Sequence, residues 1–545
     1  MMKFVVSVAA VALVAGAMGC AQATSHHGAH AGHELGVVEF PVSCSPQAQH
    51  EFTQAMAILH HMTYPQARLA FEKVVATDPQ CAMAHWGIAM TLFQPLWPTR
   101  PGPEALQRGW NEVAQAKALG APTERERRFI DAAEAFFLEP SSSDYWLRIR
   151  RWEKAMQAAY ESLPHDPEVA AFYALAHLAT TPPTRISREH ADRAAAILLD
   201  VYRRNPQHPG AMHYLVHAND VPGRERELLE ITHKYESLAP RNPHALHMPT
   251  HIYTRLGDWD GVIRGNRLAA EAALEHPAGA HGELVWDEFA HAIEYLIYAH
   301  LQKGEDDAAA AELKRLRETA RIEPSFKTAF HIASTQSRYA LERRAWKEAA
   351  SIAVREPATL DWNKFLWPEA IVVFARGYGA LRTGELAPAK ESLARLRELE
   401  TATQKSGEEL FARNVQVLRL ELEAWLAHAE QQGERSRALM AEAVTVETST
   451  PKHAVTPAPT IPAQELLGDL LLEQGRPVEA LAAYREALVR YPRRFNAILG
   501  AARAARAAGD GAAAAALYQQ LLDGKGMRRA ELDEAGAYLQ RPSER

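Results

Sequence analysis

The sequence predicts an all-α protein, an α-solenoid of stacked antiparallel helix pairs, and three observations predict it. Strong helix formers (Ala, Leu, Glu, Arg) dominate throughout, and no alternating run of Val, Ile, Thr or Tyr stands between turn signals. At 545 residues and 47% hydrophobic content, the chain exceeds the roughly 250–300 residues at which one compact core stops growing. The third observation is a helix-turn-helix pattern near the C-terminus that returns 34 residues later.

Taken in chain order, residues 1–23 read as a signal peptide. Lys3 precedes an apolar run from Phe4 to Met18, too short for a membrane span and right for a signal core. Two processing routes are open. Ala21-Gln22-Ala23 suits ordinary cleavage and a periplasmic product. Gly19-Cys20 suits lipid attachment on Cys20, although Ala17 stands where Leu is usual. No later segment is long and apolar enough to span a bilayer, so that lipid would be the sole membrane anchor. Residues 24–45 read as a His-rich disordered arm, in which His26, His27, His30 and His33 form a loose set of weak metal ligands. Once Cys20 is removed or acylated, Cys44 and Cys81 remain. An oxidising compartment makes them a disulfide candidate, beside the alternative of a buried Cys81 and a free Cys44.

Residues 46–445 read as irregular helical repeats. Gly followed five residues later by a small or apolar residue marks their turns at Gly223, Gly257, Gly304, Gly384 and Gly433, with Arg344 filling the gap 40 residues from each neighbour. Residues 446–462 carry four Pro and read as an ordered crossing segment. Residues 463–530 hold two clean repeats, with turns at Gly475 and Gly509, and residues 531–545 form a tail.

In those last repeats, Leu467, Gly468, Leu471, Ala480, Tyr484, Ala487 and Pro492 fall at the small and large positions of the tetratricopeptide (TPR) family, with Gln464 replacing the opening Trp. Ala501, Ala502, Ala505, Ala514, Tyr518 and Leu521 repeat the set. The chain therefore resembles the TPR family, which implies a right-handed superhelix with a concave groove. The runs CAMAHWGIAM, HMPTHIYTRLGDW and PKHAVTP also resemble a group of exported bacterial TPR proteins, a likeness that brings no activity with it.

Histidine is the residue type with a message, at 25 against 16 each of Tyr and Phe. His213 and His217 share a helix face, and adding 34 gives His247 and His251, so the two pairs should form a two-by-two patch. The TPR resemblance places both pairs on the groove. It extends that groove through Trp86, Met90, Tyr173 and His177 on one side and His291 and Glu294 on the other. Pro249 leaves two readings: a kinked helix that keeps the shared face, or a helix starting at about Met248 that weakens it.

These residues support three functions. The leading one is an exported scaffold holding a protein or peptide partner of the cell envelope in its groove. The second is a metal-binding protein in which His213, His217, His247 and His251 hold zinc, copper or nickel as a cofactor. The third is a metal-dependent hydrolase with Asp287, Glu283 or Glu294 as base. No GxSxG, P-loop, HExxH, CxxC or CxxCH motif occurs, so no recognised catalytic signature supports an enzyme. The net charge of −7 is spread without basic blocks, which disfavours nucleic acid as partner.

Overall fold

Helix starts are encoded in polar residues. Ser45, Asp144, Asp166, Ser187, Asn242 and Asp258 each accept a backbone N–H from the first turn of the following helix. Thr123 and Glu126 form a reciprocal capping box. In the computed structural model, which describes Met1 and residues 35–142, 144–279, 282–523 and 529–540, helices succeed one another from Pro46 to Gln540. A short antiparallel pair, Pro277–Ala278 with Leu284–Val285, interrupts them. Apart from Met1, the expected signal segment, with Cys20, and the histidines at 26, 27, 30 and 33 lie outside the described residues.

Each helix packs on its sequence neighbours and many also pack on the next but one, as in a solenoid of helix pairs. Small residues permit the close approach. Ala480, Ala487 and Ala514 are buried at the crossings, and Tyr484 and Tyr518 fill the gaps beside them. A Cβ on Gly468 would lie 2.7 Å from the Tyr484 ring, and one on Gly500 2.3 Å from it.

The turn glycines at 223, 257, 304, 384, 475 and 509 all have positive φ, and Arg344 adopts the same conformation at φ 54°. One turn differs from expectation. Its left-handed residue is Gln431 (φ 64°), while Gly433 opens the helix Gly433–Ser449. The flanking helices fix the turn, so a non-glycine residue bears the strain.

Three boundaries also move. Residues 35–45 are an ordered arm, because Val38 and Phe40 are buried in the N-terminal core and Val37 N–H donates to the Gln207 carbonyl. The tail contains the helix Glu531–Gln540, which buries Ala535 on the last repeat. The helix before the crossing segment continues to Ser449. Cys44 and Cys81 are bonded, tying the arm to the start of the helix Ala82–Met90.

The superhelix returns on itself. Buried Arg494 donates to Glu465, Glu342 and the Tyr298 hydroxyl, and Trp259 Nε1–H donates to the Arg493 carbonyl. Arg529 pairs with Asp306, and Arg100 reaches Glu408. Early, middle and late repeats thus meet across the interior. The Pro-rich segment crosses that interior as an ordered strap. The Arg338 guanidinium donates to the carbonyls of Ala458 and Pro459 at 2.8 Å, and Lys452 pairs with Asp220 at 2.9 Å.

Candidate metal centre

The patterned histidines meet inside the solenoid. His213 and His217 sit on the helix Pro209–Asn219, and His244 and His247 on Pro243–His247. His251 follows on Pro249–Leu256, His291 on Glu288–Gln302 and His331 on Phe326–Glu342. At the proline, Met248 keeps helical angles (φ −55°, ψ −41°), and its N–H reaches the His244 carbonyl. The path bends without leaving the helical track. His247 and His251 therefore share a face, with Nε2 atoms 2.9 Å apart.

Two triads result. One ring nitrogen from each of His213, His217 and His244 lies within 4.8 Å of the other two, and the same holds for His247, His251 and His291. The triads adjoin, with the His217 and His251 rings 6.3 Å apart and the His244 and His247 rings 6.1 Å apart.

Tautomers follow from the partners. His213 Nδ1–H donates to the His60 carbonyl at 2.7 Å, and His244 Nδ1–H to Glu288 at 3.1 Å. Their Nε2 atoms, and that of His217, are buried with no hydrogen-bond partner. In the second triad, His247 Nδ1–H donates to Asn266 Oδ1 at 2.7 Å and His251 Nδ1–H to Asp220 at 2.9 Å. His291 Nδ1–H donates to His331 Nε2 at 3.0 Å, and His331 Nδ1–H to Glu294 at 2.5 Å. With Nδ1–H satisfied, His247 and His251 aim two lone pairs at each other, an arrangement that a cation beside them would stabilise. Metal-bound histidines are oriented in this way, with one nitrogen on the ion and the other donating to an oxygen or a second ring.

Burial pushes His213, His217, His247 and His291 well below the usual imidazole range, and neighbouring imidazoles push the same way. Burial takes His251 to about 4 despite the pull of Asp220. These rings are neutral near pH 7, the form that binds metal. Burial raises Glu288, but Lys327 and His244 outweigh it and hold the carboxyl below its ordinary value. Burial likewise raises Asp220, and Arg255 and Lys452 hold it well below. Both carboxylates stay ionised beside the imidazoles. A tetrahedral ion with bonds of about 2.0–2.1 Å has its nitrogens about 3.4 Å apart, a value between the 2.9 Å of His247 and His251 and the 4.8 Å within which each triad falls.

A third group, His60, Glu168 and His208, behaves differently. His208 Nδ1 accepts the Ala211 N–H at 3.1 Å, so its Nε2 carries the proton and faces Glu168 at 3.3 Å. His60 Nε2 lies 2.9 Å from the other Glu168 oxygen, and its Nδ1 3.0 Å from the Tyr214 hydroxyl. Both His60 nitrogens have partners here, while His208 Nε2 and the Glu168 oxygen it faces are buried without a hydrogen bond of their own.

The other candidate residues are placed as follows. Trp86, Met90 and Tyr173 pack in the N-terminal core, so the concave position expected for them is an interior one. His177 stacks on His190 at 3.7 Å and belongs to neither triad. Glu294 accepts from His331, Ser334 and Arg338, which makes it an orienting group and leaves it no free oxygen for a base. Asp287 pairs with Lys327 at 3.1 Å, and Glu283 is exposed. His244 and His331 escaped the 34-residue pattern, yet signals for both exist. His244 precedes His247 by three and His251 by seven, a helical stripe. His331 follows His291 by 40, the spacing already evident between the turns at 304, 344 and 384.

The first triad opens through His217 onto a cavity of about 240 Å³, whose wall also includes Asp220, Arg255 and Lys452.

Fold and site together define a TPR-like helical-repeat protein with a buried polyhistidine centre. No family model matches the chain, and no curated protein matches it. Among solved structures it is similar to a human IFIT1 dimer with PPP-AAAA, at 13% identity and TM-score 0.39, covering 87% of this chain and 90% of that one.

Proposed function

We propose that this chain is a transition-metal protein, each triad holding one ion inside the solenoid. The carrying observation is that His213, His217 and His244 each bring a ring nitrogen within 4.8 Å of the other two and each have a buried, unpartnered Nε2, two of them with Nδ1 on an oxygen acceptor. Leaving such atoms unmet costs about 1–3 kcal/mol each, and a bound cation removes that cost. Neutral imidazoles suit zinc, copper or nickel, with copper(II) the tightest by intrinsic affinity. Three protein ligands with a fourth position facing a cavity is the arrangement of a reactive site more than of a structural one. The helical-repeat form also suits a partner-binding scaffold, but the inward rings favour an ion as their ligand. Export, supported by the apolar N-terminal run and the Cys44–Cys81 disulfide, puts the protein where it captures metal outside the cytoplasm.

The test is metal analysis of untagged protein after loading and desalting. About two equivalents are expected in the parent and about one in His213→Ala or His247→Ala. Retention below a tenth of an equivalent by the folded parent contradicts the proposal.

A further inference from the structure

The cavity beside His217 is larger than an ion needs, and its chemistry is lopsided. Five cationic side chains line it, and each has an acceptor. Arg100 is on Glu408, Arg255 and Lys452 on Asp220, Arg338 on Glu294, and Arg490 on the Thr448 carbonyl. The buried polar atoms left unmet on this wall are both carboxyl oxygens of Glu421, Oε1 of Glu447, Nε2 of His217 and Nε of Arg338.

Glu421 is the extreme case. It is 0% exposed, projects from the helix Glu409–Ala429, and has neither oxygen hydrogen-bonded. Glu447 beside it uses one oxygen to accept the Ala463 N–H at 2.9 Å. Burial, with Glu447 adding to it, holds Glu421 well above the ordinary carboxyl range, and burial raises Glu447 to about 7. Arg490 and Arg494 pull Glu447 the other way, whereas no cation acts on Glu421, which lacks a countercharge. The rest of the wall is apolar and aromatic, including Phe330 and the Trp367 and Phe411 rings at 5.3 Å. Aromatic faces also attract cations.

We propose that this cavity binds a compact organic ammonium ion with an apolar body, its amine on Glu421 and its body against Trp367 and Phe411. This goes beyond the metal reading and stands without it, since none of these three residues belongs to a triad. An anion of the same size finds the cationic side chains already engaged.

Calorimetric titration of the full chain, metal-free and metal-loaded, with 2-phenylethylammonium, 2-phenylethanol and 3-phenylpropionate tests the proposal. The ammonium probe is expected to bind in both metal states at least tenfold more tightly than the alcohol or the carboxylate, a comparison that needs no variant. Glu421→Gln, nearly isosteric, is expected to weaken the ammonium probe at least tenfold while metal content is unchanged. No binding of the ammonium probe, tighter binding of the carboxylate, or unchanged affinity in folded Glu421→Gln would each overturn the proposal. Failure to retain metal while the amine still binds removes the metal reading alone.

Discussion

At the scale of single residues, the centre depends on which imidazole nitrogen carries the proton. His213, His244, His247 and His251 each spend Nδ1–H on an oxygen, so their Nε2 lone pairs have nowhere to go but each other or an ion. The sequence showed the i, i+4 spacing and the 34-residue echo, and with them four of the six rings of the two triads. It did not show the tautomers, because Asn266, Asp220 and the His60 carbonyl arrive from other helices. Residues outside the triads also titrate. Burial lowers His61 and His453 to about 3 each, well below their unfolded value of about 6.5. A lowered histidine leaves the unfolded chain holding more protons at mildly acid pH. Stability is therefore complete above about pH 6.5 and is lost as pH falls from there toward 3. Metal-free protein is expected to melt progressively lower from pH 7 to pH 4.5. A melting temperature that is flat or rises over that range contradicts the burial of these rings.

At the scale of elements, the helices were the most legible part of the chain. The turn glycines, the alanine crossings and the Tyr484 and Tyr518 fillers follow local rules that need no knowledge of the distant chain. What failed depended on tertiary context. Residues 35–45 look like loop, yet Val38 and Phe40 find a core, and Gln431 takes a turn that Gly433 was expected to hold. Pro249 left the shared face of His247 and His251 ambiguous until the helical angles at Met248 resolved it. The helix Pro209–Asn219 shows how tightly elements are fitted near the centre. A Cβ on Gly210 would lie 2.3 Å from His60 Nδ1, within the network that positions the His60 carbonyl. Gly210→Ala should cost about 1–3 kcal/mol of stability, as overpacking does, and weaken metal at the triad containing His213. Urea unfolding and metal titration check both effects. A variant equal to the parent in both would show that His60 is not held where the account needs it.

At the scale of the whole molecule, closure is the decisive feature. A superhelix that remained open would offer its histidines to a partner. Here Arg494 joins residues near 298, 342 and 465, Arg100 reaches Glu408, and the strap at 450–462 crosses the middle. The contacts of Arg494 with Tyr298 and Glu342 and of Arg100 with Glu408 span 152 to 308 positions in sequence, so repeat periodicity carries no trace of them. They turn a groove into an interior with a cavity and convert a surface patch into a desolvated centre. Desolvation keeps the imidazoles neutral and the neighbouring carboxylates dear to move, which is the environment a tightly held ion needs. The most direct measurement is anomalous diffraction at the metal edge from crystals of copper- or zinc-loaded protein. The account predicts two peaks per chain, one within bonding distance of His213, His217 and His244 and one of His247, His251 and His291. Well-ordered imidazoles in both triads without a peak at either, from crystals grown with metal in excess, would contradict it.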